Sequence, residues 1–168
     1  MTLERIDLAA GLDAIDAAWV TANFTAAASR DDAARARLAE SDTAIAALER
    51  ADVVVVTAPI YNFSVPAPLK TWIDHVCRAG TTFRYTEQGP QGMLADRPLY
   101  LAMASGGVPV GSDADHASTW LQQVFGFIGI RDARVIGAEG VARDRAAALD
   151  RSLEQLDQWL PVASGAAA

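Results

Sequence analysis

Cysteine is almost missing from this chain: Cys77 is the only one in 168 residues. A lone thiol excludes an intrachain disulfide and every multi-cysteine zinc or iron–sulfur pattern, and it suits a reducing cytosol. Histidine is nearly as scarce. His75 reads as a helix flank, and His116, beside Asp113 and Asp115, as a solvated helix start rather than a metal ligand. Positive charge is in deficit, with 14 Lys and Arg against 21 Asp and Glu for a net charge of −7. Arg78, Arg84 and Arg97 are scattered, so no basic cluster is available for nucleic acid or an anionic membrane. Nor does any apolar run approach the roughly 20 residues of a membrane-crossing helix. Met1 to Asp7 has no basic stretch leading into an apolar one, so no signal peptide is expected. The sequence also lacks G-x-G-x-x-G, a Walker loop, H-E-x-x-H and G-x-S-x-G.

What is present reads as one domain over residues 1–162 with a loose Ala-rich tail at 163–168. Residues 3–8 alternate as a short edge strand would. A variable stretch from Gly11 to Arg30 carries Trp19 and Phe24. Leu38, Ser41, Ile45 and Leu48 share one face of a helix running from Asp31 to Arg50. Asp52 to Ala58, with four consecutive valines, predicts a strand covered by helices on both faces. Leu69, Trp72, Ile73 and Val76 form the buried stripe of the next helix, with Pro66 and Pro68 near its first turn.

Residues 81–97 are too long for a plain connector, and Phe83 and Tyr85 alternate like a hairpin arm. Leu99 to Met103 is a further strand. A helix from about Ser112 buries Ala117, Trp120, Leu121, Val124 and Phe125. Ala133 to Ala138 is the last strand, and Leu149, Leu153, Leu156 and Leu160 line the closing helix. Strand and helix alternate throughout, which predicts an α/β doubly wound parallel sheet in three α/β/α layers.

Two strand ends carry the chemistry. Pro59, Ile60, Tyr61, Asn62 and Phe63 follow the valine strand as a short polar-aromatic loop. Open α/β sheets bind flat ligands at that carboxyl edge. Tyr61 and Phe63 can wall a ring, while Asn62 and the loop backbone meet its polar rim; a turn with two core aromatics is the bland alternative. Ala104, Ser105, Gly106 and Gly107 end the next strand, and two glycines let backbone N–H groups approach a ligand closely. Together the two loops read as a flavin site. Phe127 lies off the core stripe of its helix and is free to face a cleft.

The strings Pro59-Ile60-Tyr61-Asn62-Phe63, Leu69-Lys70-x-Trp72-Ile73-Asp74 and Arg78-Ala79-Gly80-x-Thr82-Phe83-Arg84-Tyr85-Thr86-Glu87 resemble the FMN-dependent NADH-azoreductases, which belong with the flavodoxin-like quinone reductases. Ser105-Gly106-Gly107 and Phe125 to Ile130 continue the match in order. The resemblance implies a flavodoxin-like fold and FMN held by the loops 60–63 and 104–107. It implies ping-pong hydride transfer from NAD(P)H through FMN to a quinone or azo compound, with Tyr85 and Phe127 bordering the substrate. No side chain acts as nucleophile, because the cofactor carries the reaction. The resemblance also implies a cytoplasmic homodimer with sites at the subunit interface.

The departures are as informative. The family opens with a strand, a Ser-rich phosphate loop and a helix, roughly 30 residues that have no counterpart here. The expectation is therefore a fold lacking the usual first strand and helix, in a chain that is truncated or begins at a late start codon. Ala104 stands where related sequences often carry a hydroxyl, and Gln88 where Asn is common. The competing expectation is a flavin-free remnant that only dimerises or binds. A one-electron carrier is a third, less compatible with the 81–97 loop.

Overall fold

The computed structural model describes residues 2–159; the tail expected at 163–168 lies outside them. The elements run α1 (Ala17–Phe24), α2 (Asp32–Arg50), β1 (Val54–Pro59), α3 (Ala67–Val76), β2 (Phe83–Thr86), β3 (Gly89–Gly92), β4 (Leu99–Ser105), α4 (His116–Ile128), β5 (Ala133–Glu139) and α5 (Arg145–Asp157). Asp16, Asp31, Asp115 and Asp144 each cap the helix that follows by accepting a backbone N–H. The sheet is parallel in the order β1-β4-β5, and β2 and β3 form a separate antiparallel hairpin.

Burial of one sheet face drives the packing. Val54, Val56 and Ala58 of β1 join Leu99, Leu101 and Met103 of β4. Helices α3 and α4 close over them with Trp72, Ile73, Val76, Leu121 and Phe125. On the other face, among the described residues, α5 alone packs on the sheet, against β5. Beside it Arg134 donates to the Tyr100 hydroxyl (2.7 Å) and lies over the Tyr100 ring.

β1 is not covered on both faces: its odd positions are open, and Val55 is 61% exposed, because no described element lies over them. Residues 3–8 form no strand. Among the described residues nothing pairs with the outer edge of β1, and the segment instead makes a short turn at Leu8–Ala10 and packs Leu8 and Leu12 on the main core. On α5, Ala148 and Ser152 are buried while Leu149 and Leu153 are exposed, since a small-residue face lets the helix sit close to β5.

The Gly11–Arg30 stretch is held by a buried polar brace. Arg78, 1% exposed, donates to Asn23 Oδ1 (3.1 Å), Ser41 Oγ (3.2 Å) and the Asp42 carboxylate. Ser41 Oγ donates to the His75 carbonyl (2.5 Å), and His75 Nε2 to the Asp13 carbonyl (2.8 Å). His75 is thus fully buried rather than on a flank. Trp19 packs edge-on to its ring, 5.6 Å between centroids.

Candidate functional site

Parallel neighbours end side by side, so pairing β1 with β4 brings the two loops together. Pro59 is in register with Ala104, and the Ile60 N–H donates to the Ala104 carbonyl at 2.8 Å. Beyond that bond β1 turns back on itself within two residues. The N–H groups of Tyr61 and Ser64 each donate to the other's carbonyl, at 2.9 and 3.0 Å. Asn62 and Phe63 at the tip have φ of +49° and +68°. That left-handed pair suits Asn and strains Phe. The Phe63 carbonyl accepts from His116 N–H at the head of α4 (3.1 Å).

Ile60 is buried beneath this turn, whereas Tyr61 and Phe63 are 61% and 55% exposed. The two aromatics are therefore not core residues, and the bland alternative fails for them. On the adjacent tip Ser105 is buried, its carbonyl accepting from Val141 N–H (3.1 Å) and its Oγ from Gly107 N–H (3.3 Å). A Cβ placed on Gly107 would meet nothing within 4 Å. The result is an exposed aromatic turn beside a glycine-bearing strand end.

A groove of about 570 Å³ adjoins the turn between α3 and α4, lined by Ser64, Val65, Lys70, His116, Thr119 and Trp120. Lys70 pairs with Asp74 (2.5 Å) and lies 5.9 Å from the Trp120 ring centre. Trp120 and Val124, expected in the core, are only partly buried on this face. Cys77 is inert as a nucleophile, since burial first and the Asp74 charge second push its thiol up to about 12.

Tyr85 and Phe127 are joined to each other but not to this ledge. Phe83, buried and central, lies 5.5 Å from Tyr85 and 4.4 Å from Phe127. The hairpin carrying them docks at the far end of α4, where Leu94 N–H donates to the Ile128 carbonyl (3.0 Å) and Gly92 lies against Gly129. The thirteen residues of α4 span about 20 Å at 1.5 Å per residue. Its first residue touches the Phe63 turn, so the aromatic trio sits at the opposite pole of the chain. The sequence reading placed Phe83 with Tyr85 on a hairpin arm but missed this separation. The available signal was the βαβ geometry itself, because a crossover helix runs back toward the amino edge of the sheet.

Residues 1–160 match a family described as having a flavodoxin-like fold. A protein of Thiobacillus denitrificans named FMN-dependent NADH:quinone oxidoreductase is 52% identical over 131 residues, which is 78% of this chain and 64% of that protein. One of Hahella chejuensis, of the same name and numbered 1, is 42% identical over 158 residues, covering 94% of this chain and 78% of that one. Among solved structures, a Bacillus anthracis FMN-dependent NADH-azoreductase in complex with FMN superposes with a TM-score of 0.79 at 26% identity. That superposition covers 92% of this chain and 77% of the other.

Proposed function

The chain belongs to the flavodoxin-like fold family, and from that premise we propose that it is an FMN-dependent NAD(P)H oxidoreductase acting on quinones and azo compounds. One observation carries this reading: the Ile60–Ala104 hydrogen bond sets an exposed, left-handed aromatic turn beside a glycine ledge. The similarity to proteins named for that activity supports it.

Pro59 and Ile60 would floor the site, and Tyr61 and Phe63 would wall the ring. The Asn62 amide and turn backbone would meet its polar rim, with N–H groups along Ala104–Gly107 toward its pyrimidine oxygens. FMN held there would supply hydride-transfer chemistry between NAD(P)H and the acceptor. The chain's own part is to place the ring, exclude water beneath it and leave one face open for a flat partner. A net charge of −7 argues against a nucleic-acid role. No described helix is long and apolar enough to cross a membrane, and a reducing cytosol is the compartment proposed.

The site is completed by a second copy. A partner applied two-fold across the α3–α4 groove runs antiparallel to this chain. Its amino pole, with Tyr85 and Phe127, then adjoins this chain's ledge and borders the substrate. The flavin-free alternative draws support from the open outer edge of β1. Fluorescence quenching on FMN addition, the visible spectrum of the complex and NADH-dependent quinone reduction separate the two. Micromolar binding with turnover is expected; neither binding nor turnover would sink the oxidoreductase reading.

A further inference from the structure

Glycine backbone offers N–H groups to a ligand only if something else fixes where they point. The Ser105–Gly107 turn has little restraint of its own. Its internal bond, Gly107 N–H to Ser105 Oγ, is long at 3.3 Å. From Gly107 to Asp115 the chain then crosses the top of β5 with no helix or strand to hold it. Two carboxylates from different elements grip this strap at consecutive residues. Glu139 Oε1, at the end of β5, accepts the Val110 N–H at 2.8 Å. Asp115 Oδ2, at the head of α4, accepts the Gly111 N–H at 2.8 Å.

Each grip is built rather than incidental. Asp115 is 1% exposed, and its other contacts hold it in place: Ala117 N–H (3.0 Å), Ser118 N–H (2.9 Å) and Ser118 Oγ (2.5 Å). Gly111 takes φ +81°, which frees its N–H to turn inward. A Cβ on Gly137 would fall 2.8 Å from Val110 Cβ, so the strap rests directly on β5 backbone. A space of about 340 Å³ adjoins the strap, bordered by Val110, Ser118, Gly137 and Gln155. A strap released by its carboxylates has room to shift into it.

We propose that Asp115 and Glu139 are a pair of positioning residues that set the height and direction of the Gly106–Gly107 ledge, and so the affinity for the flavin's pyrimidine end. The inference rests on the flavin reading above. Neither residue touches the ring; both act through the strap. Charge-assisted bonds to consecutive N–H groups fix the ledge more firmly than neutral ones.

The test compares Glu139→Ala, Glu139→Gln and Asp115→Asn with the parent chain, by amide hydrogen exchange without FMN and by FMN quenching. In Glu139→Ala, protection is expected to fall about tenfold at Val110, whose N–H that carboxylate accepts, with FMN binding about tenfold weaker. Glu139→Gln keeps an acceptor and is expected to restore most of both. Asp115→Asn keeps the helix cap and loses protection at Gly111. Unchanged exchange at Val110 in Glu139→Ala overturns the inference, as does unchanged FMN affinity despite lost protection. If the parent chain itself binds no FMN, the flavin reading fails first. The exchange data then decide the grip: lost protection at Val110 supports the carboxylate hold on the strap and unchanged protection overturns it.

Discussion

The carbonyl of Phe63 accepts the N–H of His116 at 3.1 Å, fastening a left-handed phenylalanine to the first residue of α4. Strain of this kind persists only where the surroundings impose it, and it costs of order 1–3 kcal/mol per residue. Asn62→Gly is expected to change stability little in urea unfolding, since Asn tolerates this conformation and glycine adds freedom to the unfolded chain. Phe63→Gly relieves more strain but removes one wall of the proposed ring site. It should unfold no more easily and bind FMN at least tenfold more weakly. A variant that loses stability as well would count against the strain argument.

Gly107 provides the complementary measurement. Its side-chain position faces open space, so Gly107→Ala should leave the melting temperature within about 1 °C. FMN affinity is expected to drop, because the added methyl occupies the ledge. Gly129 is the contrast: φ is +117° and a Cβ would lie 2.3 Å from the Leu94 carbonyl. Gly129→Ala is expected to cost more than about 2 kcal/mol and loosen the hairpin. Circular dichroism melts of the two variants check both statements.

Arg78 is expected to matter for folding rather than chemistry. Arg78→Met removes bonds to Asn23, Ser41 and Asp42 that tie α1 and α2 to the end of α3. The stranded Asp42 side chain is 60% exposed, and water takes over its solvation. The loss should therefore fall toward the lower end for a broken buried pair, about 2–3 kcal/mol. Trp19, packed edge-on to His75, should report early release of α1 through its fluorescence.

Stability should carry an acid limb from Asp115. Burial pushes this carboxyl up, but donations from Ser118, Gly111 and Ala117 outweigh it and hold the group below its ordinary 3.8. A group depressed on folding contributes fully above its unfolded value and loses that contribution as pH falls through the folded one. Asp115→Asn should be about 1 kcal/mol less stable at neutral pH. The gap should narrow below pH 3.8. A gap independent of pH would show that the charge contributes nothing.

Much of this was legible in the residue order. The valine run, the Leu69–Val76 stripe and the glycine pair marked β1, α3 and the end of β4 because local periodicity and burial agree there. The flavodoxin-like fold and the family were legible from the Tyr61 and Tyr85 strings. The edge strand at 3–8 was misread because alternation specifies a strand only when a neighbour supplies its hydrogen bonds. His75 was misplaced, and the burial of Arg78 went unseen, for a related reason. Their partners, Asp13, Asn23 and Ser41, are remote in sequence, and no local pattern announces a buried polar brace.

The separation of Phe83, Tyr85 and Phe127 from the Tyr61 turn has a genetic consequence under the paired arrangement. A subunit spoiled at Gly107 and another spoiled at Tyr85 are each inactive as matched pairs. Mixed, they assemble one centre carrying both lesions and one carrying neither. Co-expression should then recover turnover that neither allele provides by itself, the signature of interallelic complementation.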